Sequence, residues 1–147
     1  WQGQRIAPNI CYEDLFGDEI GAGFRDRASA PTILLNVSNI AWFGDTVAID
    51  GHLSISRMRA LEFKRPMVRA TNTGATVVID HFGRVTHSLP RLTRGVLLAS
   101  VEGRDDITPF AWWVSRFGLW PLWGSAIAVL LAAAAAGIGR ARRPAAA

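Results

Sequence analysis

The stretch Arg5-Ile6-Ala7-Pro8-Asn9-Ile10-Cys11-Tyr12-Glu13-Asp14 decides how the rest of the chain is read. Residues 5–10 have the composition of a short strand, and an acidic run follows that suits the early turns of a helix over 13–28, with Asp14, Asp18 and Glu19 favourable to the macrodipole. Cys11 then stands where a strand ends and a helix begins. Orphan backbone N–H groups at such a junction stabilise a thiolate and can hold an oxyanion during acyl transfer. It is the only cysteine in 147 residues, so an intrachain disulfide framework and a four-cysteine zinc site are both excluded. A nucleophile, a buried thiol and an intermolecular bridge all remain open. Glu13 can reach the same junction, either to orient an amine or simply to complement the dipole.

Working outward, residues 32–37 (TILLNV) read as a buried strand and 38–51 as a loop with an exposed Trp42-Phe43-Gly44. Residues 52–64 read as a helix ended by Pro66. Strands are expected at 67–71, 75–80, 84–88 and 95–101, with Asn72-Thr73-Gly74 and His81-Phe82-Gly83 as hairpin turns. Alternating strands and helices make this an α/β domain. His52, His81 and His87 lack metal-ligand spacing such as HExxH, and neither a metal nor a cofactor is expected; a Cys/His dyad is left open. Lys64, the single lysine, sits beside Arg65 near a helix C-terminus and reads as solvated.

Half of the residues are apolar and 19% are charged, which excludes general disorder. The apolar excess gathers after Thr108. No charge occurs over 117–139, long enough to cross a hydrocarbon core of ~30 Å, so a transmembrane helix is expected there. Trp112, Trp113, Trp120 and Trp123 form an aromatic belt on one side, and Arg140, Arg142 and Arg143 close the other, which by the positive-inside tendency is cytoplasmic. The net charge of +4 comes from dispersed arginines without a nucleic-acid-binding motif, so no nucleic-acid partner is expected. The organisation read is a domain over 1–108, a juxtamembrane segment 109–116, the span 117–139 and a basic tail 140–147.

The run Asn9-Ile10-Cys11-Tyr12-Glu13 resembles the nucleophile elbow of the nitrilase, or carbon-nitrogen hydrolase, superfamily. Asn36-Val37-Ser38-Asn39-Ile40-Ala41-Trp42-Phe43-Gly44, Arg57-Met58-Arg59-Ala60-Leu61-Glu62, Arg65-Pro66, Arg69-Ala70-Thr71-Asn72-Thr73-Gly74 and Pro121-Leu122-Trp123 resemble its apolipoprotein N-acyltransferase branch. The resemblance implies part of an α-β-β-α sandwich followed by one C-terminal transmembrane helix, on the extracytoplasmic side of a bacterial inner membrane. It implies a Glu-Lys-Cys triad that takes an acyl group from a phospholipid donor as a thioester and passes it to the N-terminal diacylglyceryl-cysteine of an apolipoprotein. Cys11 matches the nucleophile, Tyr12 the residue whose N–H helps hold the oxyanion, Glu13 a second carboxylate, and Trp42 with Phe43 an apolar lid. In that family the general-base Glu and the Lys precede the Cys, whereas the ten residues before Cys11 hold neither, and Ile40 replaces a common Asp. The expectation is therefore the C-terminal part of a longer acyltransferase, inactive alone. A tethered amidase and a noncatalytic anchored binding domain are the alternatives.

Overall fold

The computed structural model describes residues 2–141, with side chains through residue 137. Five strands form one mixed sheet in the order β1-β2-β3-β4-β5: β1 (Ile6–Ile10), β2 (Ile33–Ser38), β3 (Met67–Thr71), β4 (Val77–Ile79) and β5 (Val85–Ser88). The first three run parallel, with Asn9 opposite Asn36 and Asn36 opposite Arg69; β3–β4 and β4–β5 are antiparallel. Parallel neighbours need crossovers, and these carry the helices. The first holds a 3-10 turn (Cys11–Leu15) and α1 (Gly17–Ala22); the second holds a 3-10 turn (Ala41–Phe43) and α2 (Ala48–Phe63).

Strand alternation sorts the sheet into two faces. Leu34, Met67, Val77 and Ile79 point into one core with Phe24, Ile49, Ala60 and Phe63, where the Phe24 and Phe63 rings stack at 4.6 Å. On the opposite face Ile6, Ile10 and Val37 are exposed. One sheet with its helical layer is the arrangement of one half of an α-β-β-α sandwich, with apolar residues exposed on its outer face.

Several expected elements differ. The helix expected over 13–28 is a 3-10 turn followed by the six-residue α1, interrupted at Phe16 (φ −96°, ψ 84°). Its sequence is glycine-rich (Gly17, Gly21, Gly23), and glycine is a poor helix former. Beyond it Asp26 accepts from the Ala28 N–H and Ser29 Oγ, closing a turn. The expected loop 38–51 is partly helical, because α2 starts at Ala48. Residues 95–101 form no strand, and Val96 and Leu98 are exposed; their apolar run imitates a strand but joins no edge of this sheet. The hairpin at His81-Phe82-Gly83 forms as read: Asp80 Oδ1 accepts from the N–H groups of Phe82 and Arg84, both at 2.9 Å. Gly83 has φ +73°, and a Cβ there would lie 2.9 Å from Arg57 O, so the turn requires glycine.

The end of α2 shows why Arg65-Pro66 follows it. Lys64 is exposed in the left-handed conformation, and Arg65 folds inward to donate to Pro31 O at 2.6 Å and to the orphan carbonyls of Phe63 and Lys64, both at 3.2 Å. Burial pushes the Arg65 guanidinium down to about 10.

The segment expected to be merely juxtamembrane is a packed helix, α3 (Pro109–Phe117). Thr108 Oγ1 accepts from the Ala111 N–H at 3.0 Å and donates to Glu62 O at 2.6 Å, so one hydroxyl caps α3 and satisfies a carbonyl at the end of α2. Gly118 (φ +52°) stops the helix, and α4 (Trp120–Ala141) follows, so the apolar helix begins at Trp120 rather than residue 117. The stretch Trp120–Gly137 has a mean hydropathy of 1.5 with none of it buried, and α4 is long and apolar enough to cross a membrane. Trp1, Arg142, Arg143 and the rest of the tail lie outside the described residues, as does the side chain of Arg140.

Candidate active site

β1 delivers Cys11 to the end of the sheet, and the chain turns there with φ +54°. A non-glycine residue in this region is strained, and such strain is stored where a side chain must project from a sharp turn. The macrodipole expected behind Cys11 is reduced to the N–H groups of a single 3-10 turn, since no long helix follows. Beneath the turn, Asn36 Nδ2 donates to Cys11 O at 3.1 Å and to Asn9 Oδ1 at 2.5 Å, and its Oδ1 accepts from Ser38 Oγ. The in-register pairing of Asn9 and Asn36 thus becomes a buried polar ladder that fixes the Cys11 carbonyl.

Cys11 opens into a cavity of about 210 Å³ lined by Tyr12, Leu15, Ile40, Phe43, Ala48, His52 and Ile55. The walls are apolar apart from Tyr12, His52 and the sulfur itself. Tyr12 spans the rim: its ring meets Phe43 edge-on at 6.3 Å and His52 at 5.6 Å. Phe43 belongs to the wall, whereas its neighbour Trp42 is 80% exposed on the outside of the 3-10 turn. Ile40 is buried and lines the cavity; its N–H donates to Asn72 Oδ1 at 3.1 Å, and Asn72 Nδ2 donates to Asn39 Oδ1 at 2.7 Å. These bonds tie the 3-10 turn Ala41–Phe43 to the end of β3.

Glu13 does not line this cavity. It is exposed, and its Oε2 accepts from the Ile10 N–H at 2.6 Å, so in this arrangement it caps the turn. The buried carboxylate is that of its neighbour Asp14. Asp14 Oδ2 accepts from Ser56 Oγ at 2.5 Å and lies 3.5 Å from Arg69 Nη1; Oδ1 lies 3.1 Å from His52 Nε2. Arg69 Nη1 donates to Ser56 Oγ at 2.6 Å, and Arg69 Nη2 donates to His52 Nδ1. Since a guanidinium can only donate, Nδ1 is the acceptor in this contact, and Nε2 lies on the side of the carboxylate. Burial pushes the Arg69 guanidinium below its usual value, while the charges of Asp14 and Cys11 act in the opposite direction. The cluster therefore lies within electrostatic range of the sulfur and ties α2 and β3 to the turn that carries it.

In the sequence nothing singles His52 out from His81 and His87 for a Cys/His dyad, Asp14 reads only as an acid favourable to the macrodipole, Arg69 only as part of a family motif, and Ser56 carries no signal. The signal for Arg69 was its place two residues from Met67, on the strand face that points inward. His52 and Ser56 share the buried side of α2 with Ile49, Ala60 and Phe63, which blurs that helix's apolar periodicity. Among the described residues no group of His, Cys, Asp and Glu is placed to hold a metal ion.

Residues 2–106 match the family model for carbon-nitrogen hydrolases. The chain belongs to the carbon-nitrogen hydrolase family. Within it, the chain is 68% identical over 126 residues to an apolipoprotein N-acyltransferase of Verminephrobacter eiseniae, a match covering 81% of the chain and 24% of that relative. It is 57% identical over 133 residues to an apolipoprotein N-acyltransferase of Ralstonia nicotianae, covering 90% and 25% respectively. The chain thus spans about a quarter of the length of these curated relatives. A crystal structure of an amidase from Nesterenkonia sp. superposes with a TM-score of 0.57 at 21% identity, covering 84% of this chain and 45% of that one. This likeness carries the carbon-nitrogen hydrolase fold.

Proposed function

We propose that this chain supplies the nucleophile and lid of an enzyme that N-acylates the N-terminal diacylglyceryl-cysteine of lipoproteins with phospholipid as acyl donor. The observation that carries this reading is Cys11 on a strained turn, opening into an apolar cavity whose wall includes Phe43, in a chain 68% identical to a relative named for that activity.

The Cys11 thiolate attacks the ester carbonyl of the phospholipid, the C–O bond breaks, and the lysophospholipid oxygen leaves with a proton from a general acid. The thioester then meets the lipoprotein's α-amine; the C–N bond forms, the C–S bond breaks, and the amine's proton passes to a general base. Covalent catalysis splits one difficult transfer into two easier ones. The N–H of Tyr12, at the head of the 3-10 turn, is suited to the oxyanion, and Glu13 serves as a second carboxylate near the acceptor amine. Water must be kept from the thioester, which gives Phe43 and Trp42 their role as an apolar lid. The cavity, at about 210 Å³, falls below the ~300–1,000 Å³ usual for a ligand site, and in this reading a remaining wall and the triad's Glu and Lys come from other residues of the full protein. In this reading α4 crosses the inner membrane with its basic end cytoplasmic, and the domain faces outward.

The test uses the full protein in vesicles with acyl-labelled phospholipid. A hydroxylamine-labile label is expected on the wild type and none on Cys11→Ala, which also loses transfer to a diacylglyceryl peptide. Undiminished transfer by Cys11→Ala would overturn the proposal. Hydrolysis of small amides without acyl transfer would select the amidase reading.

A further inference from the structure

α3 is apolar on both of its faces. Ala111, Val114 and Ser115 are buried against the domain, and the approach to α1 is so close that a Cβ on Gly21 would lie 2.3 Å from Val114 Cγ1. The opposite face presents Trp112 (47% exposed), Trp113 (42%) and Phe117 (43%), which form one cluster: Phe117 sits 5.8 Å from Trp112 and 5.4 Å from Trp113, ring to ring. A helix apolar all round is ordinarily buried, so this outer face requires a partner.

Two observations identify that partner. The only charge on the outer face, Arg116, lies along Trp112, with its guanidinium carbon 5.1 Å from the ring and Nη1 donating to Trp112 O at 3.3 Å. Tryptophan with a snorkelling arginine is the chemistry of the boundary between headgroups and acyl chains, where one end of each side chain is apolar and the other wet. The patch is also continuous with α4, which starts at Trp120 after a two-residue break and is unburied throughout its apolar stretch.

We infer that the outer face of α3 is a lipid-contacting surface that seats the domain on the bilayer. Trp112, Trp113 and Phe117 enter the interfacial layer and Arg116 meets lipid phosphates. Because α3 is capped by Thr108 and packed on α1, the domain is held against the membrane rather than hanging from α4 on a loose tether. The inference rests on α4 as a membrane span, and it adds a second, separate membrane contact built into the domain itself.

The experiment places a nitroxide at one introduced cysteine at a time in the full protein, with Cys11 and every other native cysteine replaced by alanine, reconstituted in phosphatidylcholine/phosphatidylglycerol vesicles. Trp112→Cys and Trp113→Cys report on α3, Leu130→Cys on α4, and Ser54→Cys on the exposed side of α2. Relative accessibility to oxygen and to a water-soluble nickel chelate is read by power saturation. The expected result is an oxygen-favoured ratio at 112 and 113, between the lipid value at 130 and the aqueous value at 54. Aqueous values at 112 and 113 with 130 in lipid would overturn the inference and leave the span intact. Low accessibility to both probes at 112 and 113 would overturn it in favour of a protein partner. An aqueous value at 130 would remove the span, and the inference with it.

Discussion

His52 Nε2 lies 3.1 Å from Asp14 Oδ1, and this contact joins the second turn of α2 to the third residue past Cys11. With Arg69 on the far side of the imidazole, the turn that aims Cys11 is tied to both the helix and the third strand of the sheet. His52 stands at the wall of the cavity between the carboxylate and the guanidinium, and a positioning role is expected of it.

Asp14→Ala is expected to be strongly destabilising. It leaves the Arg69 guanidinium buried without its carboxylate, and breaking a buried pair in this way costs about 3–5 kcal/mol. Asp14→Asn keeps an acceptor for Ser56 but removes the charge, so a smaller loss is expected, with a lower kcat and an unchanged KM for the acyl donor. Thermal unfolding and acyl-transfer kinetics on the full protein check both, and a wild-type melting temperature for Asp14→Ala would refute the clamp.

The two readings of Glu13 separate by comparing Glu13→Gln with Glu13→Ala. Glutamine can still accept from the Ile10 N–H, so the cap survives, whereas alanine loses it at a cost of about 1 kcal/mol. A charge-dependent role predicts that both variants lose acyl transfer while only alanine loses stability. Normal transfer by Glu13→Gln would confine the residue to capping.

Gly21→Ala should undock α3, because the added methyl occupies the space of Val114 Cγ1. Overpacking of this kind costs roughly 1–3 kcal/mol. Combining it with Val114→Ala should recover part of that loss in a double-mutant cycle, and strictly additive losses would show that the two residues are not coupled.

Burial raises the Glu62 carboxyl above its ordinary value, and the nearby Arg59, at 3.0 Å, only partly opposes this. A carboxyl whose folded pKa lies above its unfolded one destabilises the fold at higher pH, and that penalty is relieved as pH falls through the raised value. Glu62→Gln is therefore expected to raise the melting temperature near neutral pH, with the gain fading as pH falls through the raised value and gone below the unfolded value of 4.5. A gain independent of pH would rule out ionisation as its source.

Much of this molecule is decided locally. A short apolar run ending at Cys11, the alternation of β2 and β3, the Asp80–Gly83 turn and the charge-free stretch of α4 each follow from steric and hydrophobic preferences that act over a few neighbouring residues. The motifs around Cys11, Trp42 and Arg69 pointed to the family on the same local basis. Other features depend on where distant segments meet. Asp14, His52, Ser56 and Arg69 are unremarkable polar residues until three elements fold together, when burial obliges each to satisfy another. The run 95–101 has a strand's pattern without a strand's partner, and Trp112 and Trp113 read as one end of a span until Gly118 divides the helix and Gly21 lets α3 close onto the domain. Pattern records which face of an element is apolar; only the assembled fold determines what that face meets.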